Sequence, residues 1–182
     1  MVALEIETTG YGRSSRTNRR EVVNLLRLAG RLRTAGFDVS STCNLRCEGC
    51  YYFSGDRSAT EHRQANDLQL WQDFFATKAA EGVNYAYLAG AEPSLEPDRI
   101  RAAAAAIPWG MVVTNGTRRI PDEVRYRIHI SLWGSEATSG LTRGADVNRK
   151  AFANYRDDPR AIFVYTINRQ NLDEIEPMVA AC

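Results

Sequence analysis

The sequence predicts an α/β fold in which a parallel sheet is covered by helices. Five short apolar segments of strand length alternate with segments whose apolar residues recur at helical spacing. Strands that are joined by helical connections form parallel sheets. Polar or glycine-rich residues follow each of the five apolar segments. Because the site of a parallel α/β protein lies at the carboxyl edge of its strands, we expect these five loops to share one functional edge.

The predicted strands are apolar runs that end at a turn signal. The first runs into a loop that contains three cysteines, and the second ends at Gly90. The third ends at Asn115-Gly116, a common turn pair, and the fourth ends before Gly134. In chain order, the predicted strands are residues 37–40, 83–89, 111–114, 127–132 and 161–167.

The predicted helices follow from apolar periodicity together with start and stop signals. Asp67 is a candidate N-cap, and Pro97 suits the first turn of a helix. Gly36 is a plausible stop signal for the first helix. The predicted helices are residues 21–34, 67–80, 97–106 and 146–157, and a last helix that begins at Leu172.

The chain is predicted to have two parts. Residues 1–20 are polar and rich in arginine, and we interpret them as a loose arm that forms an N-terminal segment, residues 1–35, together with the first helix. Residues 36–182 contain all the predicted strands and form the core domain. A chain of 182 residues fits one ordinary domain.

Charge and hydropathy limit the classes of function. The 23 basic and 22 acidic residues give a net charge of +1, which is no evidence for a nucleic-acid-binding surface. No apolar run is long enough to span a membrane, and the N-terminus lacks the pattern of a secretory signal. We therefore expect a cytoplasmic protein that has no membrane partner.

The loop after the first strand carries Cys43, Cys47 and Cys50 in a C-x3-C-x2-C pattern. A tight cysteine cluster outside a secreted domain is more typical of metal binding than of disulfides. Structural zinc takes four ligands, and the nearest histidine is His62. An iron–sulfur cubane also takes four ligands, so three thiolates leave one iron open for catalysis. This favours an iron–sulfur cluster over zinc.

The ordered set of motifs resembles the radical S-adenosylmethionine (radical SAM) superfamily. The cysteine pattern lies directly after the first strand, as it does in that family. Gly-Ala-Glu-Pro at residues 90–93 is similar to the Gly-Gly-Glu-Pro loop after the second strand. Thr-Asn-Gly-Thr at residues 114–117 and Ser-Leu-Trp-Gly at residues 131–134 are similar to the endings of the third and fourth strands. The resemblance extends over residues 37–172.

The resemblance implies a partial TIM-like (β/α) barrel with about five of the six usual strand–helix units. It also implies a [4Fe-4S] cluster on Cys43, Cys47 and Cys50, whose fourth iron is chelated by S-adenosylmethionine (SAM). An external one-electron reductant would then drive cleavage of SAM to a 5′-deoxyadenosyl radical, which abstracts hydrogen from a small-molecule or peptide substrate. The protein would supply position and redox tuning.

Further residues are assigned to SAM through the same resemblance. Glu92 and the backbone near Gly90 would accept hydrogen bonds from the SAM ammonium group. The guanidinium of Arg143 would pair with the SAM carboxylate, because the two planar groups match. The full predicted SAM-binding set is Gly90, Ala91, Glu92, Pro93, Asn115, Ser131, Arg143 and Asn168.

The sequence also departs from the family pattern. Gly49 stands where an aromatic residue usually precedes the third cysteine, and Ala91 replaces the second glycine of the Gly-Gly-Glu-Pro loop. A methyl group is tolerated at Ala91 unless that residue needs a positive φ. A sixth strand is not evident, so we expect the fifth strand to have an open edge. A homodimer contact or a further C-terminal segment would cover that edge.

Two other functions fit the same residues. One is a non-catalytic iron–sulfur or zinc-binding module. The other is an RNA-modifying radical SAM enzyme, which the arginines of residues 13–33 suggest. The sequence does not specify the substrate or the hydrogen that is abstracted.

Overall fold

A computed structural model describes residues 31–54, 66–144 and 146–181. Five strands form one parallel sheet in which strands adjacent in sequence are adjacent in space. All carboxyl ends therefore meet at one edge. The predicted α/β class, a partial barrel with a parallel sheet and covering helices, is confirmed. The strands are β1 (Thr34–Ser40), β2 (Tyr85–Gly90), β3 (Trp109–Thr114), β4 (Arg127–Leu132) and β5 (Ala161–Tyr165).

The helices connect and cover these strands. The Asp67 side chain accepts a hydrogen bond from the Gln69 backbone N–H at 2.9 Å, which confirms the predicted cap. The residues between β3 and β4 form no helix. The helices are α1 (Leu68–Ala80), α2 (Pro97–Ala106), α3 (Glu136–Arg143), α4 (Val147–Tyr155) and α5 (Ile175–Ala181), with short 3-10 turns at Pro93–Leu95 and Leu172–Glu174.

The core lies between the helices and one face of the sheet. Leu88 of β2, Val112 of β3 and Ile130 of β4 are fully buried on that face. The alternate residues point to the opposite face, where Tyr87 and Ile162 are exposed. No helix within the described ranges combines the length and apolar character needed to cross a membrane.

The helix α3 was not predicted from the sequence. Ser135 caps it, because its hydroxyl accepts from the Thr138 backbone N–H. Glu136 lies in its first turn and Gly144 follows its last residue with a φ of +113°. These are ordinary start and stop signals. The helix has only eight residues, and Leu141 is its one large apolar side chain, which left too short a stretch for a prediction.

Several predicted boundaries are corrected. Thr34 does not end a helix, because it begins β1 and pairs with Tyr85 of β2. Residues 31–33 of that predicted helix are not helical either, and residues 21–30 lie outside the described residues, as do the predicted arm and Cys182. The start of β2 moves from residue 83 to Tyr85, since Val83 N–H bonds to Lys78 in the turn after α1. The end of β5 moves back to Tyr165, because the Asn171 side chain turns the following loop.

Candidate active site

The cysteine loop leaves the end of β1 and forms two successive turns. Cys50 N–H donates to the Cys47 carbonyl, and Phe53 N–H donates to the Cys50 carbonyl, each at 3.2 Å. All three thiols of the motif are free and half-buried. Burial raises the pKa of the Cys43 thiol, and the Leu45 N–H, which donates to its sulfur, opposes that rise. In the described part of the chain, no three cysteine, histidine or acidic side chains converge into a group that could hold a metal.

The loop after β3 contacts Cys43, the first cysteine of the motif, through Asn115. Asn115 Nδ2 donates to Asn44 Oδ1 at 3.0 Å and lies 3.8 Å from Cys43 Sγ. In turn, Asn44 Nδ2 donates to Thr117 Oγ1 at 2.9 Å. The predicted site residue Asn115 is therefore beside the cysteine loop. Amide donors next to a thiolate stabilise its charge, and they adjust the potential of a cluster bound there.

The second predicted loop packs against the root of the cysteine loop. Ala91 N–H donates to the Ser40 carbonyl at 2.8 Å. Gly90 has a φ of +125°, and a Cβ at this position would lie 2.5 Å from the same carbonyl oxygen. Only glycine fits there. The methyl group of Ala91 is accommodated, because Asp146 is the sole non-glycine residue with a positive φ in the described ranges.

Glu92 lies beneath the two loops and is only 1% exposed. Its Oε1 accepts from Ser94 N–H at 2.9 Å and from Thr114 Oγ1 at 2.6 Å. Its Oε2 accepts from Asn115 N–H at 2.7 Å. Three donors to one buried carboxylate tie the loop after β2 to the loop after β3. Pro93 follows Glu92 and begins the short 3-10 turn that supplies the Ser94 donor.

A different group of predicted residues lies at the ends of β4 and α3. Arg143 is the last residue of α3 and is 5% exposed, so it is not a surface arginine. Its Nη1 donates to the Ser131 carbonyl, and its guanidinium lies 5.5 Å from the centre of the Trp133 ring. The Nε atom is buried and has no hydrogen-bond partner within the described residues. A buried cation with an unused donor is suited to an anionic ligand.

A cleft of about 400 Å³ separates the cysteine loop from the ends of β4 and β5. Gly49 forms one side of this cleft, Trp133 and Thr142 form another, and Asn168 lies on the loop after β5. The Asn168 side-chain carbonyl accepts from Gln170 N–H at 2.8 Å. Across the cleft, the Thr142 carbonyl accepts the Glu48 N–H at 2.7 Å, which joins α3 to the cysteine loop.

Sequence reasoning missed three residues that support the site. Arg99 of α2 is buried and its Nη1 donates to the Val39 carbonyl at 2.7 Å, which fixes the end of β1. Asn44 links two loops, and Glu174 binds the start of α3 through three hydrogen bonds. The position of Asn44 inside the cysteine motif was a usable signal. Arg99 and Glu174 carried no local signal, because their partners are distant in sequence.

Neither protein-family models nor curated protein sequences gave a significant match to the chain. Solved structures did. SuiB from Streptococcus suis bound to the precursor peptide SuiA matches with a TM-score of 0.65 and 17% identity, covering 99% of this chain and 45% of that one. The chain shares its fold with part of SuiB. SuiB bound to S-adenosylmethionine gives a TM-score of 0.66 at 15% identity, covering 94% of this chain and 45% of SuiB.

A third SuiB structure gives a TM-score of 0.64 at 15% identity, covering 93% of this chain and 43% of SuiB. The chain thus spans less than half the length of the SuiB chains that it matches. The TM-scores establish a shared fold, whereas identities of 15–17% do not establish a shared chemistry.

Proposed function

We propose that the protein is a radical SAM enzyme that acts on a peptide or a small molecule. The single observation that carries the proposal is the position of the three cysteines. They lie in a C-x3-C-x2-C loop at the carboxyl edge of a parallel sheet, and this fold is shared with a protein whose structure holds S-adenosylmethionine. Cys43, Cys47 and Cys50 would hold a [4Fe-4S] cluster.

The donor set of the loop suits that cluster. The three thiols are free, half-buried and carried on one short loop. The Cys43 sulfur already accepts an N–H from Leu45 and has the Asn115 amide at 3.8 Å, and such donors stabilise thiolates. The thiols do not converge in the described conformation, so cluster binding would turn them towards one point. When bound, the cluster would supply one electron that cleaves the sulfur–C5′ bond of SAM into methionine and a 5′-deoxyadenosyl radical.

Arg143 is the residue proposed to bind the SAM carboxylate. Its guanidinium is buried, and within the described residues it donates to the neutral carbonyl of Ser131 rather than to an acidic side chain. A carboxylate would satisfy the buried Nε and neutralise the charge. Ser131 lies near the end of β4 and Asn168 lies on the loop after β5, and both are proposed as further polar contacts.

The SAM ammonium group needs acceptors. The backbone carbonyls of Gly90 and Ala91 are proposed for this role, because the loop that carries them packs on the root of the cysteine loop. Glu92 contributes its negative charge from below. Within the described residues, Oε2 of Glu92 accepts a single hydrogen bond and so keeps one acceptor site for the ammonium group, while its three protein donors give it a second role in holding the loop.

A peptide substrate is favoured over a small molecule because a structural neighbour holds a precursor peptide. The electron would come from an external reductant. The RNA-modifying alternative rests on arginines of which only Arg31 and Arg33 are described, and nothing in the site favours it. A non-catalytic metal-binding module does not account for the buried Arg143 guanidinium, whose Nε is unpaired within the described residues and is suited to an anionic ligand.

Anaerobic reconstitution with iron and sulfide tests the proposal. We expect the wild-type protein to gain the broad visible absorption of an iron–sulfur cluster and iron and sulfide contents close to those of a cubane. The Cys47→Ala variant should fail to incorporate the cluster, since two thiolates hold a cubane poorly. A zinc-loaded, colourless wild-type protein would reject the proposal.

A further inference from the structure

Glu174 is an acidic residue whose carboxylate accepts hydrogen bonds from the start of α3. Its Oε2 accepts from Ser135 N–H, and its Oε1 accepts from the hydroxyls of Ser135 and Thr138, all at 2.7 Å. Gly134 has a φ of +120°, which favours glycine, and the carboxylate lies close to it, since a Cβ there would be 2.4 Å from Oε2. A negative charge at the start of a helix is favourable. These donors, led by the Ser135 N–H, lower the pKa of Glu174.

The helix that Glu174 holds carries residues of the candidate site at its other end. The Thr142 carbonyl accepts the Glu48 N–H of the cysteine loop at 2.7 Å. Arg143 follows directly and contacts Ser131 and Trp133. A helix of eight residues is short and rigid, so a shift at its first turn is transmitted to its last.

The loop after β5, which leads to Glu174, lines one wall of the cleft with Asn168 and Gln170, while Thr142 of α3 lines another. Asn171 is fully buried, its Nδ2 donates to the Thr166 carbonyl, and its Oδ1 accepts from Asn168 N–H, each at 2.8 Å. Glu174 N–H donates to the Asn171 carbonyl at 3.2 Å, and Tyr165 OH donates to the same carbonyl at 2.9 Å. The loop after β5 and Glu174 are therefore one hydrogen-bonded unit.

We infer that Glu174 is a positioning residue that sets the separation between the two walls of the cleft, and through α3 the place of Arg143. This role rests on the proposed function, since the ligand whose affinity it controls is SAM. Glu174 touches neither the cysteines nor the cleft itself, and it acts through Ser135 and Thr138.

The test compares Glu174→Ala with Glu174→Gln and with Glu176→Ala, a nearby exposed acid. The dissociation constant of SAM is measured by calorimetry on the reconstituted protein below its melting temperature. Glu174→Ala should weaken SAM binding about tenfold, because the start of α3 loses its three hydrogen bonds to the charged Glu174 carboxylate. Glu174→Gln should restore most of the affinity, because its amide can donate to both hydroxyls while its oxygen accepts the Ser135 N–H. Glu176→Ala should match the wild type.

Amide exchange separates this role from a general loss of stability. Glu174→Ala should speed exchange at Glu48 and in residues 136–143 and leave β2 and β3 unchanged. If that variant does not fold, Thr138→Ala, which removes one donor, should show the same local pattern and a smaller loss of affinity. Unchanged SAM affinity and unchanged exchange at Glu48 would overturn the inference. A wild-type protein that binds no SAM would reject the proposed function, while the exchange pattern would still decide the role of Glu174.

Discussion

The carboxylate of Glu92 accepts the backbone N–H of Asn115 across 2.7 Å, and this bond joins the loops that end β2 and β3. Because Asn115 also lies beside Cys43, the bond extends the support of the cysteine loop into the protein interior. A buried carboxylate with three donors is fully compensated, and its removal leaves those donors unpaired.

Glu92→Ala is expected to lower the free energy of unfolding by about 3 kcal/mol, because three buried donors lose their acceptor. Glu92→Gln should fall between that variant and the wild type. Its oxygen can keep the bonds to Ser94 and Thr114, while its amide nitrogen faces the Asn115 N–H. Chemical denaturation measures both. A Glu92→Ala protein as stable as the wild type would contradict the arrangement.

Arg143→Ala and Arg143→Lys should both weaken SAM binding without loss of the cluster. The lost charge-assisted bonds are worth roughly 1.5–3 kcal/mol, or about tenfold or more in affinity. Arg143→Lys should not restore the affinity for SAM, since lysine lacks the planar guanidinium that can form two parallel hydrogen bonds. Calorimetric titration with SAM measures the effect, and Arg149→Ala, on the exposed side of α4, is the matched control. Equal affinity in all four proteins would mean that SAM binds against other loops.

An ion pair between Asp158 and Arg160, at the amino-terminal edge of the sheet, should make the stability of the protein depend on pH. Hydrogen bonds from Arg160 hold the pKa of Asp158 below its usual range, and Arg160 also donates to the carbonyls of Pro121 and Val124. A lowered carboxyl pKa stabilises the fold above the unfolded value of about 3.9, and this contribution is lost as the pH falls through the folded value.

Asp158→Asn should therefore lower the free energy of unfolding by about 1–2 kcal/mol at neutral pH. The difference from the wild type should shrink as the pH falls from about 4, the unfolded pKa, through the lowered pKa of Asp158 in the folded protein. Denaturation curves at a series of pH values measure this, with exposed Asp157→Asn as the control. A difference that stays constant down to acid pH would show that the lost interaction is not ionic.

Strand β5 lies at an edge of the sheet, and we expect the protein to self-associate through it. Within the described residues it pairs only with β4, and Ile162, Val164 and Ile167 are exposed. An open apolar edge invites pairing with another chain. Light scattering should detect dimers or larger species, and Val164→Lys should reduce them. A monomer at high concentration whose amides at residues 161–167 are strongly protected would mean that the chain covers this edge itself.

The order of the elements and the edge that carries the site could be predicted, because strand periodicity and the cysteine spacing are local signals. The helix α3 has local start and stop signals at Ser135 and Gly144, but it escaped prediction because it is only eight residues long and is held by a carboxylate 39 residues away, at Glu174. Tertiary partners of that kind leave no trace in local periodicity.

The candidate site was predicted as a set of residues, not as a set of contacts. The predicted contact of Glu92 with SAM stays a prediction, whereas its three protein donors were not predicted. That arrangement depends on the register of β2 against β3, which the sequence does not encode locally. The contacts of the predicted residues with SAM stay predictions.

The most direct test of the central claim is the formation of 5′-deoxyadenosine. The wild-type protein is reconstituted anaerobically, reduced with dithionite and mixed with SAM, and the products are quantified by liquid chromatography and mass spectrometry. We predict 5′-deoxyadenosine and methionine from the wild type and from Cys182→Ala, whose cysteine lies outside the motif, and none from Cys47→Ala. A wild-type protein that holds a reduced cluster and bound SAM, yet forms no 5′-deoxyadenosine above the protein-free control, would contradict the claim.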